Sequence, residues 1–116
     1  MRELVKDCLF CKIIRGEIPS KKVYENEYVL AFDDIAPQAP VHTLIVPKEH
    51  VENLEDNPSP ELLAHLFGAV HTVAEIKGVV DSGYRVVQNN GKDAGQTVSH
   101  IHVHVFGGRP FGEGMV

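Results

Sequence analysis

The segment His100-Ile101-His102-Val103-His104-Val105-Phe106 alternates imidazoles with apolar side chains. An extended strand sends successive side chains to opposite faces. This pattern therefore predicts a strand with three imidazoles on one face and Ile101, Val103 and Val105 on the other. The apolar face must pack on another layer, and helices are the expected partner. The imidazole face, if buried, needs hydrogen bonds or ligation, because unpartnered buried polar groups cost free energy. Three roles are open to it: a solvent-facing polar strand, metal ligation by an i, i+2 pair, and nucleophilic or acid–base catalysis. On an extended strand the Cα atoms of His100 and His104 lie roughly 13 Å apart, so the three imidazoles are poorly placed to share one ion.

The rest of the chain supplies the partners for such a strand. Its 116 residues amount to one domain, residues 1–116. A short helix is expected from an Asp7 N-cap through Cys8, Phe10, Cys11 and Ile14, ending at Gly16. Lys22 to Glu25 and Tyr28 to Phe32 read as a hairpin turning at Asn26-Glu27, and Val41 to Val46 as a buried strand stopped by Pro47. Ser59 and Pro60 open a long helix whose apolar positions Leu62, Leu66, Val70, Val73 and Ala74 recur at helical spacing up to Gly78. Tyr84 to Gln88 is a further strand. The order predicts an α+β fold: an antiparallel five-stranded sheet, one short N-terminal helix and one long helix, with the helices on one side.

Composition narrows the partners. Eleven Lys+Arg against sixteen Asp+Glu leave a charge of −5, which argues against a nucleic acid polymer or an anionic membrane. No apolar stretch approaches the roughly 20 residues of a membrane span, and Met1 to Asp7, charged on both signs and not followed by a long apolar run, does not read as a signal peptide. Two cysteines, spaced Cys8-x-x-Cys11, suit a reducing compartment, so the expected location is the cytoplasm. A small anion remains possible. The loop Asn89 to Thr97 precedes the histidine strand; Gly95 permits close backbone approach, and the amides after it can face an anion. An anion cradle beside a row of imidazoles points to phosphoryl or nucleotidyl transfer.

The triad segment matches the alternating signature of the histidine triad (HIT) superfamily. Flanking blocks resemble its Hint branch in the same order: Phe10 to Ile14 with Gly16 to Pro19, Ala31 to His42, Val46 to His50, Gly95 to Ser99, and Gly107 to Pro110. The resemblance runs nearly end to end and implies a HIT-like domain that dimerises into a continuous ten-stranded sheet. It implies a purine nucleoside 5′-phosphoramidate hydrolase acting on AMP or GMP conjugates. His102 is then the nucleophile and forms a nucleotidyl-histidine intermediate, which splits one displacement into two. His104 and His42 match the supporting histidines that orient it and relay protons. Thr97 stands where the branch usually has Ser, near the leaving group. Asn89, Gly95, Gln96 and Thr97 match the phosphate and leaving-group lining, with His102 and His104. Asp34 matches the acceptor for the ribose hydroxyls, and Phe10, Phe32 and Ile35 match the slot for the base. Read by residue type alone, these three apolar residues are plain core, and Asp34 is a loop cap.

The same resemblance bears on the cysteines. Zinc-containing members join an N-terminal CxxC to a His past the third strand and to the first triad His. Here those are Cys8, Cys11, His50 and His100, a set that makes a closed, structural tetrahedral zinc site, with no cofactor needed for catalysis. The animal Hint proteins lack the CxxC, so the chain resembles the microbial type. Its tail, Phe111 to Val116, lacks the Trp-containing segment that in those proteins sits near the partner's site. Two other functions remain open: a dinucleoside polyphosphate hydrolase, against which His104 argues because the fragile-HIT branch commonly has Gln there, and a purine-nucleotide-binding regulatory module. His65 and His71, on the long helix, read as surface or interface residues.

Overall fold

A computed structural model describes residues 2–114, so Met1, and Met115 and Val116 of the tail, lie outside the described residues. The chain forms α1 (Leu9–Ile14), β1 (Lys22–Glu25), β2 (Val29–Asp33), β3 (Val41–Pro47), α2 (Pro60–Gly68), α3 (Val70–Ile76), β4 (Arg85–Val87) and β5 (Val103–Gly107), with short 3-10 turns at Leu54–Asp56 and Lys92–Ala94. The strands make one antiparallel sheet in the order β1-β2-β3-β5-β4. Among the described residues no helix is long and apolar enough to cross a membrane.

The alternation within the strands divides the core in two. Val29, Ala31, Ile45, Val103 and Val105 pack with Leu66 and Val73 of α2 and α3. Leu30, Phe32, Leu44 and Val46 point the other way and pack with Phe10 and Cys11 of α1. The helices therefore cover both faces of the sheet, and the one-sided arrangement expected from the sequence is corrected. The spacing of Phe10 and Cys11 shows that α1 has an apolar stripe, but not which face receives it.

Three boundaries also move. The N-cap of α1 is Cys8, whose Sγ accepts from the Cys11 amide, and not Asp7. The long helix is capped as expected by Ser59 Oγ, which accepts from the Leu62 amide at 3.1 Å, but it is divided at Ala69. Ala69 keeps right-handed backbone angles, so α2 and α3 run on from one another. Finally, β5 begins at Val103, so His100 and His102 stand ahead of the ladder. Their alternation still holds: Ile101 joins Val103 and Val105 in the helix-side core.

Candidate active site and metal centre

The sheet register builds the imidazole row. His104 on β5 lies opposite Leu44 of β3, and His42 of β3 lies opposite Phe106. Both imidazoles thus emerge on the α1 side of the sheet. His42 and His104 meet at 2.9 Å, Nε2 to Nδ1. His102 follows at 5.0 Å between ring centroids. Phe10 of α1 packs edge-on against His102 at 5.0 Å and against Phe32 at 5.7 Å. Phe106 lies parallel to the His104 ring at 5.4 Å and against His42 at 4.2 Å.

Backbone groups decide where the protons sit. The Gln38 amide donates to His42 Nδ1 at 3.1 Å, so neutral His42 carries its proton on Nε2 and donates to His104 Nδ1. Neutral His104 then keeps its own proton on Nε2. His102 Nδ1–H donates to the His100 carbonyl at 2.7 Å, leaving Nε2 as a lone pair. No protein group among the described residues hydrogen-bonds Nε2 of His102 or of His104. Burial pushes all three imidazoles toward the neutral form. His104 is lowered to about 4 by burial and then by His102 and His42. His102 and His42 are lowered chiefly by burial, with the Asp34 carboxylate opposing. Asp34 Oδ2 stands 3.5 Å from His42 Nε2, while Oδ1 accepts from the Ala36 amide at 2.8 Å.

The first histidine of the segment, His100, faces a different set of groups. Cys8 Sγ, Cys11 Sγ, His50 and His100 bring four donor atoms within 4.8 Å of one another. Cys8 Sγ lies 3.3 Å from His100 Nδ1, and Cys11 Sγ lies 3.4 Å from His50 Nδ1 and 3.5 Å from His100 Nδ1. His100 Nε2 faces the Pro47 carbonyl at 3.0 Å, which fixes its proton there and leaves Nδ1 as the donor atom. Backbone amides of Val5 and Cys11 donate to Cys11 Sγ and Cys8 Sγ, each at 3.4 Å. Such N–H groups favour thiolates. Burial nevertheless pushes the Cys11 thiol up to about 11, with Cys8 adding to the rise. A divalent cation would stabilise the two thiolates, and the donor set fits one: the cluster could hold a metal ion.

A HIT domain model matches residues 15–111. The chain is 51% identical over 98 residues to an uncharacterized HIT-like protein of Methanocaldococcus jannaschii, covering 84% of this chain and 76% of that one. It is 40% identical over 111 residues to the purine nucleoside phosphoramidase of Escherichia coli, covering 94% and 93%. The solved structure of a HIT family hydrolase from Clostridium thermocellum superposes with a TM-score of 0.92 at 43% identity, covering 97% of this chain and 99% of that one. The chain belongs to the HIT family.

Within that HIT frame the other expected residues fall unevenly. Phe10 and Phe32 are core residues beneath the row, as their type alone predicts. Ile35 is 96% exposed beside Asp34. Gln96 has its amide spent on the loop: Oε1 accepts from Gly91 and Asn53, and Nε2 donates to the Glu52 and Val98 carbonyls. Its side chain braces the loop, and its backbone amide also donates within the loop, to Gly91 O at 3.1 Å, so the amide after Gly95 does not face an anion as expected. Gly95 has a left-handed φ of 80° and closes the 3-10 turn by donating to Lys92 O. Thr97 lines a hollow with Cys8, His50 and Ser99, on the metal side of the loop. Asn89 lines a separate cavity of about 620 Å³ with Arg85, Phe106, Arg109 and Phe111. His65 stacks on Tyr28 at 3.7 Å, and His71 pairs with Glu75 on the surface. Sequence reading missed the groups that orient the row, namely the Gln38 amide and the carbonyls of Pro47 and His100. It also missed Phe106 as the ring that walls the row, although this residue closes the triad segment.

Proposed function

We propose that this HIT protein hydrolyses purine nucleoside 5′-phosphoramidates, taking AMP or GMP conjugates. The observation that carries the reading is the His102 tautomer: Nδ1–H held by a carbonyl at 2.7 Å, with the Nε2 lone pair unengaged. That is an imidazole prepared to attack phosphorus. The name of the Escherichia coli relative supports the substrate class.

In this mechanism the His102 Nε2 lone pair forms a bond to the α-phosphorus and the bond from phosphorus to the amine nitrogen breaks. The amine must gain a proton to leave. The bound anionic phosphate favours one added proton on the His42–His104 pair, and His104 Nε2 delivers it. Water then attacks the nucleotidyl-histidine, its oxygen goes to phosphorus, and its proton restores the pair. His102 departs neutral, and the nucleoside monophosphate is released. Asp34 accepts from the ribose hydroxyls, and the base covers the exposed Ile35. Cys8, Cys11, His50 and His100 would hold zinc; four protein donors close the site, so the ion's contribution is cross-linking and charge rather than an open coordination position.

Rapid-quench intact-mass analysis with an adenosine phosphoramidate tests this. The expected result is a transient nucleotidyl adduct on the wild-type chain and none on His102→Ala. A chain that binds the nucleotide without forming any adduct is a binding module, and the hydrolase reading fails.

A further inference from the structure

The carbonyl that orients His102 is not held by the sheet. β5 begins at Val103, and the His100–Ile101 peptide lies ahead of it. That peptide is fixed from two sides, and both lead to the metal centre. The His100 imidazole is clamped between the cysteine sulfurs on Nδ1 and the Pro47 carbonyl on Nε2. The Ile101 amide, in the same peptide unit as the His100 carbonyl, donates to Val51 O at 2.6 Å, and Val51 follows the candidate ligand His50. A third link runs through α1. Phe10 stands between the two cysteines in sequence, and its ring contacts both His100 and His102 edge-on.

We propose that the Cys8–Cys11–His50–His100 centre is a positioning device for His102. With a metal bound, it fixes the 100–101 peptide and so holds the His102 proton on Nδ1. The inference rests on His102 being the nucleophile. His100 is then a positioning residue: its side chain serves the metal and its backbone serves the imidazole two residues on. A ligand at the metal site and the lone pair at the reacting nitrogen are connected through one residue, with a single peptide unit between them. Partners that orient ligands in this way typically change affinity or activity 10–100-fold when lost.

The test compares imidazole nitrogen spectra of the full-length chain, labelled at histidine and loaded with zinc, with those of the same chain after zinc removal under reducing conditions. The expected spectrum of the loaded chain shows His102 as a single Nδ1–H tautomer, and that of the stripped chain shows a mixture. Two variants guard against a chain that unfolds without metal. His50→Cys and His100→Cys each leave a three-cysteine, one-histidine donor set able to bind zinc, and cobalt(II) absorption reports whether each takes the metal. His50→Cys should keep the single His102 tautomer. His100→Cys should lose it, because the shorter thiolate ligand gives up the bond to the Pro47 carbonyl and draws the 100–101 peptide toward the ion, with adduct formation slowed about tenfold or more. A variant that takes no cobalt(II) should show the tautomer mixture of the stripped chain. An unchanged His102 tautomer in stripped, folded protein overturns the proposal, as does identical behaviour of two cobalt-binding variants. The tautomer comparison needs no substrate. A chain that fails to turn over phosphoramidates therefore still shows whether the metal centre orients His102.

Discussion

His104 is the residue whose protonation the fold suppresses most clearly outside the metal centre. Its folded value lies near 4, against about 6.5 for an unperturbed imidazole. Between these values the unfolded chain binds more protons than the folded one, so stability rises with pH across that window. The contribution is complete above about pH 6.5 and is lost as pH falls through 4. It amounts to about 3 kcal/mol at most. Urea unfolding of His104→Asn should therefore show a shallower loss of stability from pH 7 to 4.5 than the wild type. Equal slopes would show that His104 titrates alike in both states. At this scale the sequence was most legible for side chains. Imidazoles, thiols and a carboxylate declare their chemistry by type; the triad segment and the CxxC placed His100, His102, His104, Cys8 and Cys11, whereas His42, His50 and Asp34 were placed only by the family resemblance. It was least legible for Gln96 and Ile35. Whether an amide is spent on its own loop, or an isoleucine left in solvent, depends on contacts between segments distant in sequence. Backbone donors and acceptors have no residue signature, so the Gln38 amide and the His100 carbonyl could not be read at all.

Periodicity gave every strand within a residue or so, except that β5 starts three residues later than the histidine pattern implies. The reason is pairing: alternation reports extended backbone, whereas a strand also needs a neighbour, and β3 ends at Pro47, opposite Val29 of β2, with its β5 pairing reaching only to Ile45. The division of the long helix at Ala69 was invisible because alanine is an excellent helix former. At the other end of β5, Gly107 shows how closely the elements approach. A Cβ placed there would stand 2.8 Å from Val79 Cγ1 and 3.1 Å from Val79 Cβ. Its backbone is not in the left-handed region, so the constraint is space alone. Gly107→Ala is expected to cost about 1–3 kcal/mol by overpacking. In the double variant Gly107→Ala, Val79→Ala the 2.8 Å clash with Cγ1 is gone and only the 3.1 Å approach to Cβ remains, so the summed cost of the singles should exceed that of the pair by more than about 0.5 kcal/mol. Chemical denaturation of the four proteins measures this; additive costs would mean the segment after α3 moves aside freely.

For the molecule as a whole, the two faces of the sheet divide the work: α2 and α3 complete a conventional core on one, and the histidine row with α1 occupies the other. The edges remain. β1 is guarded against pairing. It has a register shift between Lys22 and Tyr24, and its Glu25 is paired with Lys22 at 3.0 Å and Lys48 at 2.6 Å. Bulges and charges of this kind block edge-to-edge association. β4 is not guarded in the same way. Its middle residue is Val86, exposed and opposite Val105, on the helix side of the sheet. A second copy pairing along β4 would extend five strands to ten and cover Val86. We therefore expect a homodimer formed through β4, with the adjoining helical layer in contact. Light scattering at micromolar concentration should give twice the chain mass. Val86→Asp should return it to the monomer, because a carboxylate would then face its own copy across the two-fold axis with nothing to neutralise it. A wild-type monomer would refute the dimer outright, and a dimeric Val86→Asp would move the interface away from β4.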